Sequence, residues 1–284
     1  MAAPIPHAVR KFASELVHPS ALIGCRTSET SLDCCEYDLA VFAPGANRVV
    51  QMDGHAVELV HFGGSVKNHI VDLGGLAVLK DTNRFELSSS AQDISPEKYR
   101  KALAAAGKKS LISSLFCQRR MASAKQPAVA AMWLKIAAYE FMGGVLALSG
   151  SRPMPLHELG QVRQADYGRM AEGVEVALEC IGIERTTRPA ISRSIEAIKE
   201  LKSKDYDRDL FASKVDLLLG RSMLTDCYYY AGRIASKNLT GRKEAFYGRY
   251  SKLIQLALDL SSDMQLLEKL QKKLFKAANG GLKG

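Results

Sequence analysis

The chain has no CxxC pair, no histidine spacing suited to a metal, no repeat of fixed period and no long uninterrupted apolar run. The six cysteines, at 25, 34, 35, 117, 180 and 227, are therefore read as free thiols in a reducing compartment, because a disulfide framework does not suit a chain of this size. Cys34 and Cys35 are adjacent, so on a strand they would point to opposite faces and could not jointly hold a metal. The longest apolar stretch, residues 128–148, is broken by Lys135 and Glu140 and falls short of an uninterrupted membrane span. Residues 1–10 lack the apolar core of a secretory signal, which gives a cytoplasmic expectation.

What is present is the composition of a globular protein: 47% hydrophobic and 24% charged residues over 284 positions, long enough for two compact domains. The formal charge of +9 is unevenly placed. Residues 1–95 hold 7 Lys and Arg against 11 Asp and Glu, and residues 96–284 hold 32 against 19. An acidic front half suits cation binding, and a basic back half suits a polyanion such as RNA. A solvated helical surface accounts for the basic half equally well.

Segment by segment, the pattern predicts a short amphipathic helix over 6–16 and β-rich segments over 20–24, 35–42, 48–52 and 56–62. Asp53-Gly54 is a two-residue hairpin signal, so the strands on either side of it should pair antiparallel. A short helix over 65–73, a strand over 76–79 and a polar linker over 86–95 complete the front half. Ser95-Pro96-Glu97 then marks a helix start, with Ser as cap and Pro in the first turn. Helical periodicity follows through 98–106, 127–148, 166–180, 192–202, 211–236, 242–258 and 261–277. The expected fold class is α+β: a small mixed sheet with flanking helices over 1–90, then an all-α bundle over 95–284.

The segment 22–42 carries the chemistry. Gly24 ends an apolar strand, where a residue without Cβ lets backbone N–H groups approach a phosphate. Residues 25–30 should begin a helix whose N-terminal end favours anions. Glu36 and Asp38 follow, two apart on a strand, so both carboxylates share one face while Tyr37 and Leu39 take the other. Like charges so close repel unless cations lie between them. Glu58, on a neighbouring strand among Ala56, Val60 and Phe62, supplies a third carboxylate. Three carboxylates beside a phosphate loop are the parts of two-metal phosphoryl transfer.

Gly24, Arg26, Thr30, Asp38, Leu39, Ala40 and Val41 fall in register with the pattern of the polymerase-β-type nucleotidyltransferase superfamily, which this segment resembles over about residues 20–62. The resemblance implies a Mg²⁺ (or Mn²⁺) dependent enzyme that moves an NMP, such as AMP, from an NTP to an acceptor hydroxyl or phosphate, RNA among the candidates. Glu36, Asp38 and Glu58 would then be the catalytic, metal-holding residues. Gly24, Cys25, Arg26 and Thr30 would bind the nucleotide, with Gly24, Cys25 and Arg26 facing its β- and γ-phosphates. Three positions depart from the pattern: Cys25 replaces the usual Ser, Glu36 the commoner Asp, and Glu29 a usual Gly. Cys25 and Glu29 favour an alternative, a weak or inactive nucleotidyltransferase-fold protein that binds nucleotide or RNA in a regulatory, antitoxin-like role.

The helical half offers weaker signals. Lys108-Lys109 and Arg119-Arg120 are basic pairs able to meet a triphosphate or an RNA backbone, or else solvated helix ends. Tyr228-Tyr229-Tyr230, Trp133, Tyr139 and Phe141 read as bundle core. Arg152 and His157 have the spacing of a helical ribonuclease motif, but the two prolines between them disfavour the helix it needs.

Overall fold

A computed structural model describes residues 4–28, 30–63, 66–201, 207–261 and 263–283. It has two compact units. One comprises Met1–Ala102 with Asp209–Lys214; the other holds Leu103–Arg208 and Val215–Gly284.

The first unit is a five-stranded mixed sheet with a helix on one face. Its strands are β1 (Ser20–Ile23), β2 (Tyr37–Val41), β3 (Arg48–Met52), β4 (His55–His61) and β5 (Ala77–Lys80), in the order β3-β4-β2-β1-β5. Asp53 and Gly54 both take positive φ, 47° and 79°, and β3 and β4 pair antiparallel across them with Met52 opposite His55. That is the two-residue hairpin expected of Asp-Gly. β4 then returns parallel to β2. Strand alternation sorts the side chains into two layers. Leu22, Tyr37, Leu39, Val41, Val57 and Leu59 pack with Val9 and Ala13 of α1 (His7–Glu15). Burying each large aliphatic group of this layer is worth about 1.5–3 kcal/mol. On the opposite face Ile23, Ala40, Phe62 and Leu73 form a second, smaller cluster.

Two front-half expectations need correction. Residues 86–95 are not a linker: Glu86–Gln92 forms helix α2. Asp81 explains it, since its carboxylate accepts from the backbone N–H of Leu87 and Ser88 and from the Ser88 hydroxyl at 2.6–2.9 Å. Burial alone would raise the Asp81 pKa, but these bonds outweigh it and hold the carboxyl below its usual range. The helix expected over 65–73 is a single 3₁₀ turn, Val66–His69, and Ser65 lies outside the described residues.

The second unit is helical. It contains most of α3 (Pro96–Ser123), then α4 (Pro127–Leu148), α5 (Glu158–Gln164), α6 (Ala171–Ile181), α7 (Arg188–Glu200), part of α8 (Arg208–Gly220), α9 (Leu224–Leu239), α10 (Glu244–Arg249), α11 (Ser251–Leu258) and α12 (Met264–Leu282). α3 runs on well past the expected end at 106. Gly107 is not a terminator but a contact point: a Cβ there would stand 2.9 Å from the Gly144 carbonyl of α4. α4 is long and apolar enough to cross a membrane, yet 94% of its apolar window is buried inside the protein, so it is the central core helix. Trp133, Tyr139, Phe141 and Tyr228–Tyr230 are buried, as read from the sequence. The run 211–236 divides at Ser222 (φ 56°) into α8 and α9. Arg152 to His157 lie outside any helix, because α5 starts only at Glu158.

A polar network lies inside this unit. Arg233 donates to Glu158 at 3.2 Å and to Glu140 at 3.1 Å, and the Tyr229 hydroxyl donates to Glu158 at 2.9 Å. Burial opposes the Arg233 cation, but the two carboxylates outweigh that cost and hold it charged.

Candidate metal centre

The register of three adjacent strands assembles the site. Ile23 of β1 lies opposite Asp38 of β2, and Asp38 lies opposite Glu58 of β4. In-register neighbours on a pleated sheet project to the same face, so Asp38 and Glu58 stand side by side. Glu36, two residues before Asp38, joins them. The three carboxylates each offer an oxygen, and these atoms lie within 4.8 Å of one another. All three residues are half-buried.

Gly24 closes the group from the end of β1. Its φ is +78°, and a Cβ added there would stand 2.1 Å from Asp38 Oδ2. Backbone conformation and the space beside Asp38 therefore both require glycine.

The repulsion is substantial. Two unit charges at 4.8 Å repel by about 3.5 kcal/mol at an effective dielectric of about 20. One cation counters part of it: Lys214 Nζ lies 2.7 Å from Glu36 Oε1, with side chains 12% and 13% exposed. Lys214 belongs to the Asp209–Lys214 segment of the same unit, 178 positions along the chain from its partner. Oxygen-only donors at this spacing are the set that hard divalent cations take.

The predicted phosphate loop behaves differently from expectation. The α-helix expected from residue 25 does not begin at 25–28: the chain makes one 3₁₀ turn, Gly24–Thr27, and leaves it at Ser28. Thr27 and Ser28 turn their hydroxyls back onto the Gly24 and Cys25 carbonyls at 2.8 and 2.9 Å. The Cys25 thiol is buried. Its hydrogen bond with Cys35 and its burial push its pKa far above the usual range, with the Asp38 and Glu36 charges adding to the rise, so it stays neutral.

Arg26 is also not aimed at the carboxylates. Its guanidinium donates to the carbonyls of Asp33 and Cys35 and lies 4.6 Å over the Tyr37 ring, on the opposite face from Asp38. It borders a polar cavity of about 310 Å³ that also touches Asp33, Gln51, His55 and Ser213. Thr30 is exposed, with its hydroxyl 2.8 Å from that of Ser28. Glu29 lies outside the described residues. The structure thus brings together Glu36, Asp38, Glu58 and Gly24, turns Arg26 and Thr30 elsewhere, and adds Lys214, for which the sequence offers no local signal.

The chain matches no family model, no curated protein and no solved structure.

Proposed function

We propose that the chain is a divalent-cation-dependent nucleotidyltransferase, built on a nucleotidyltransferase-type sheet with a helical domain behind it and working in the cytoplasm. The observation that carries this reading is the convergence of Glu36, just before β2, with Asp38 and Glu58 of the parallel β2 and β4, against a glycine that leaves room for nothing larger. The donor set fits Mg²⁺ or Mn²⁺: carboxylate oxygens alone, partly shielded from water. Bound there, a divalent cation would supply neutralisation of triphosphate charge.

Each residue then has a task. Glu36, Asp38 and Glu58 would hold the metal, and Glu58, beside the acceptor, would also take up its proton. Transfer joins the acceptor oxygen to the α-phosphorus and breaks the bond to the β-phosphate, releasing pyrophosphate. Lys214, held at Glu36, is placed to receive negative charge from the triphosphate. The acceptor is a hydroxyl or phosphate, with RNA favoured by the basic helical half.

A second reading, a nucleotide-binding protein without transfer activity, is favoured by one set of observations. Cys25 offers a neutral thiol in place of a hydroxyl, and Arg26 is engaged by loop carbonyls. The two readings separate by experiment. Equilibrium dialysis with ATP and Mn²⁺ should show binding that Asp38→Ala abolishes, and incubation with labelled ATP should show transfer. Binding without transfer selects the second reading; absence of metal-dependent binding refutes both.

A further inference from the structure

The helical unit carries a surface that the carboxylate chemistry does not use. The basic pair Lys108-Lys109 lies well inside the 28-residue α3, and Arg119-Arg120 stand at its last turn. Between Leu103 and Ser123, α3 has these four cations and no acid. Helical spacing puts Lys108, Lys109, Ile112, Phe116 and Arg119 on one face, and all five are exposed. Phe116 is 56% and Ile112 57% exposed. The Arg120 guanidinium lies 5.2 Å over the Phe116 ring.

α12 lies alongside, antiparallel. Gln271 donates to Gln118 at 3.4 Å, and a Cβ on Gly281 would stand 2.8 Å from Leu111. Its outer face, opposite the buried Leu267, Leu270 and Leu274, repeats the theme. Lys269, Lys272, Lys273 and Lys276, with Lys283 just past the helix end, form a stripe about 21 Å long. Phe275, 40% exposed, flanks it. On the far side of α12 a groove of about 410 Å³ is lined by Arg169, Lys273, Lys276 and Lys283, with one acid, Glu172, and with Gly173 and Gly280. Together the stretches 103–123 and 264–283 hold nine Lys and Arg against one acid, Glu268, in a protein whose whole formal charge is +9.

Cations alone would suit any polyanion. Exposed rings among them narrow the choice, because an unstacked base can lie on an aromatic face, whereas a duplex keeps its base faces covered. We infer that the α3–α12 surface binds single-stranded nucleic acid, the phosphates meeting the lysine stripe and the groove while bases stack on Phe116 and Phe275. This does not depend on the carboxylate centre, so binding persists in Asp38→Ala.

Fluorescence anisotropy of the full chain with a fluorescein-labelled, unstructured 20-nucleotide RNA tests it. Lys273→Glu with Lys276→Glu should weaken binding at least tenfold and make the salt dependence shallower by about 1.4 in log–log slope. Phe116→Ala with Phe275→Ala should weaken it about tenfold while leaving that slope unchanged. A duplex of equal length should bind at least fivefold more weakly than the single strand. Comparable affinity for single-stranded DNA supports contacts to backbone and base faces; a preference for RNA supports added contacts to the 2′-hydroxyl. Circular dichroism checks that each variant is folded, which the exposure of these side chains predicts. Lys11→Glu with Arg48→Glu is the control for general charge. The inference is overturned if that control weakens binding as much, if duplex and single strand bind alike with the phenylalanines irrelevant, or if the protein binds anionic phosphatidylserine vesicles and not RNA.

Discussion

Replacing Asp38 with Asn should stabilise the protein when divalent cations are removed and should abolish its response when they are added. The substitution keeps the shape of the side chain and deletes one charge from a group whose oxygens lie within 4.8 Å of one another. Each pair repulsion is about 3.5 kcal/mol at an effective dielectric of about 20. Partial exposure and the Lys214 ammonium reduce what is recovered, so we expect a gain of about 1–2 kcal/mol in EDTA. At roughly 2–4 °C per kcal/mol for a chain of this size, Tm rises by about 2–8 °C. The wild-type protein gains stability instead when cations are added: one at a hundred times its Kd stabilises the folded state by about 2.7 kcal/mol, or about 5–11 °C. Thermal melts with EDTA, Mg²⁺ and Mn²⁺, at ionic strength matched with KCl, measure both. A cation site at these carboxylates is ruled out if wild type ignores the cations, or if Asp38→Asn loses stability in EDTA and still responds to Mn²⁺.

Other substitutions test separate parts of the account. Gly24→Ala places a Cβ 2.1 Å from Asp38 Oδ2 at a φ of +78°; it should cost about 1–3 kcal/mol in urea denaturation and blunt the Mn²⁺ response. Lys214→Met leaves the Glu36 carboxylate without its ammonium, a loss of about 3–5 kcal/mol in EDTA, and saturating Mn²⁺ should recover a larger increment than in wild type. Lys135 concerns pH. Burial, aided by the Arg185 charge, pushes its pKa down to about 7, so above that pH the unfolded chain binds a proton that the native state does not. Stability should therefore rise with pH from about 7, by at most about 1.4 kcal/mol per unit. The rise should flatten above about 9, where Cys117, Cys180 and Cys227, pushed up to about 12 by burial, begin to act in the opposite direction. Urea titrations from pH 7 to 9 should show most of this slope lost in Lys135→Met; an unchanged slope would contradict the assignment.

The parts of the site legible in the sequence are those that local geometry dictates. The two-residue spacing of extended chain places Glu36, just before β2, with Asp38, and the tight Asp53-Gly54 hairpin returns the chain so that β4 carries Glu58 to the same face. What was not legible depends on distant partners. Nothing near Lys214 announces that it meets Glu36. Arg26 has the residue type of a phosphate ligand, but its guanidinium is taken up by the carbonyls of Asp33 and Cys35. The polar composition of 86–95 conceals a helix because its stabilising acid, Asp81, lies upstream of the segment. Gly107 looks like a helix end and is instead the point where two helices approach closely. Propensity describes a residue's own preference, and in each of these places a tertiary contact outweighed it.

If Glu36, Asp38 and Glu58 serve nucleotidyl transfer, labelled nucleotide should reveal it. The protein would be incubated with α-labelled and, separately, γ-labelled NTPs, Mg²⁺ or Mn²⁺, and total cellular RNA and protein, beside Asp38→Ala and Glu58→Ala. Nucleotidyl transfer at these carboxylates means that α-label becomes attached to an acceptor, that γ-label leaves as pyrophosphate, and that both variants are silent. Attachment of the γ-label, or α-label transfer that survives in both variants, would contradict it.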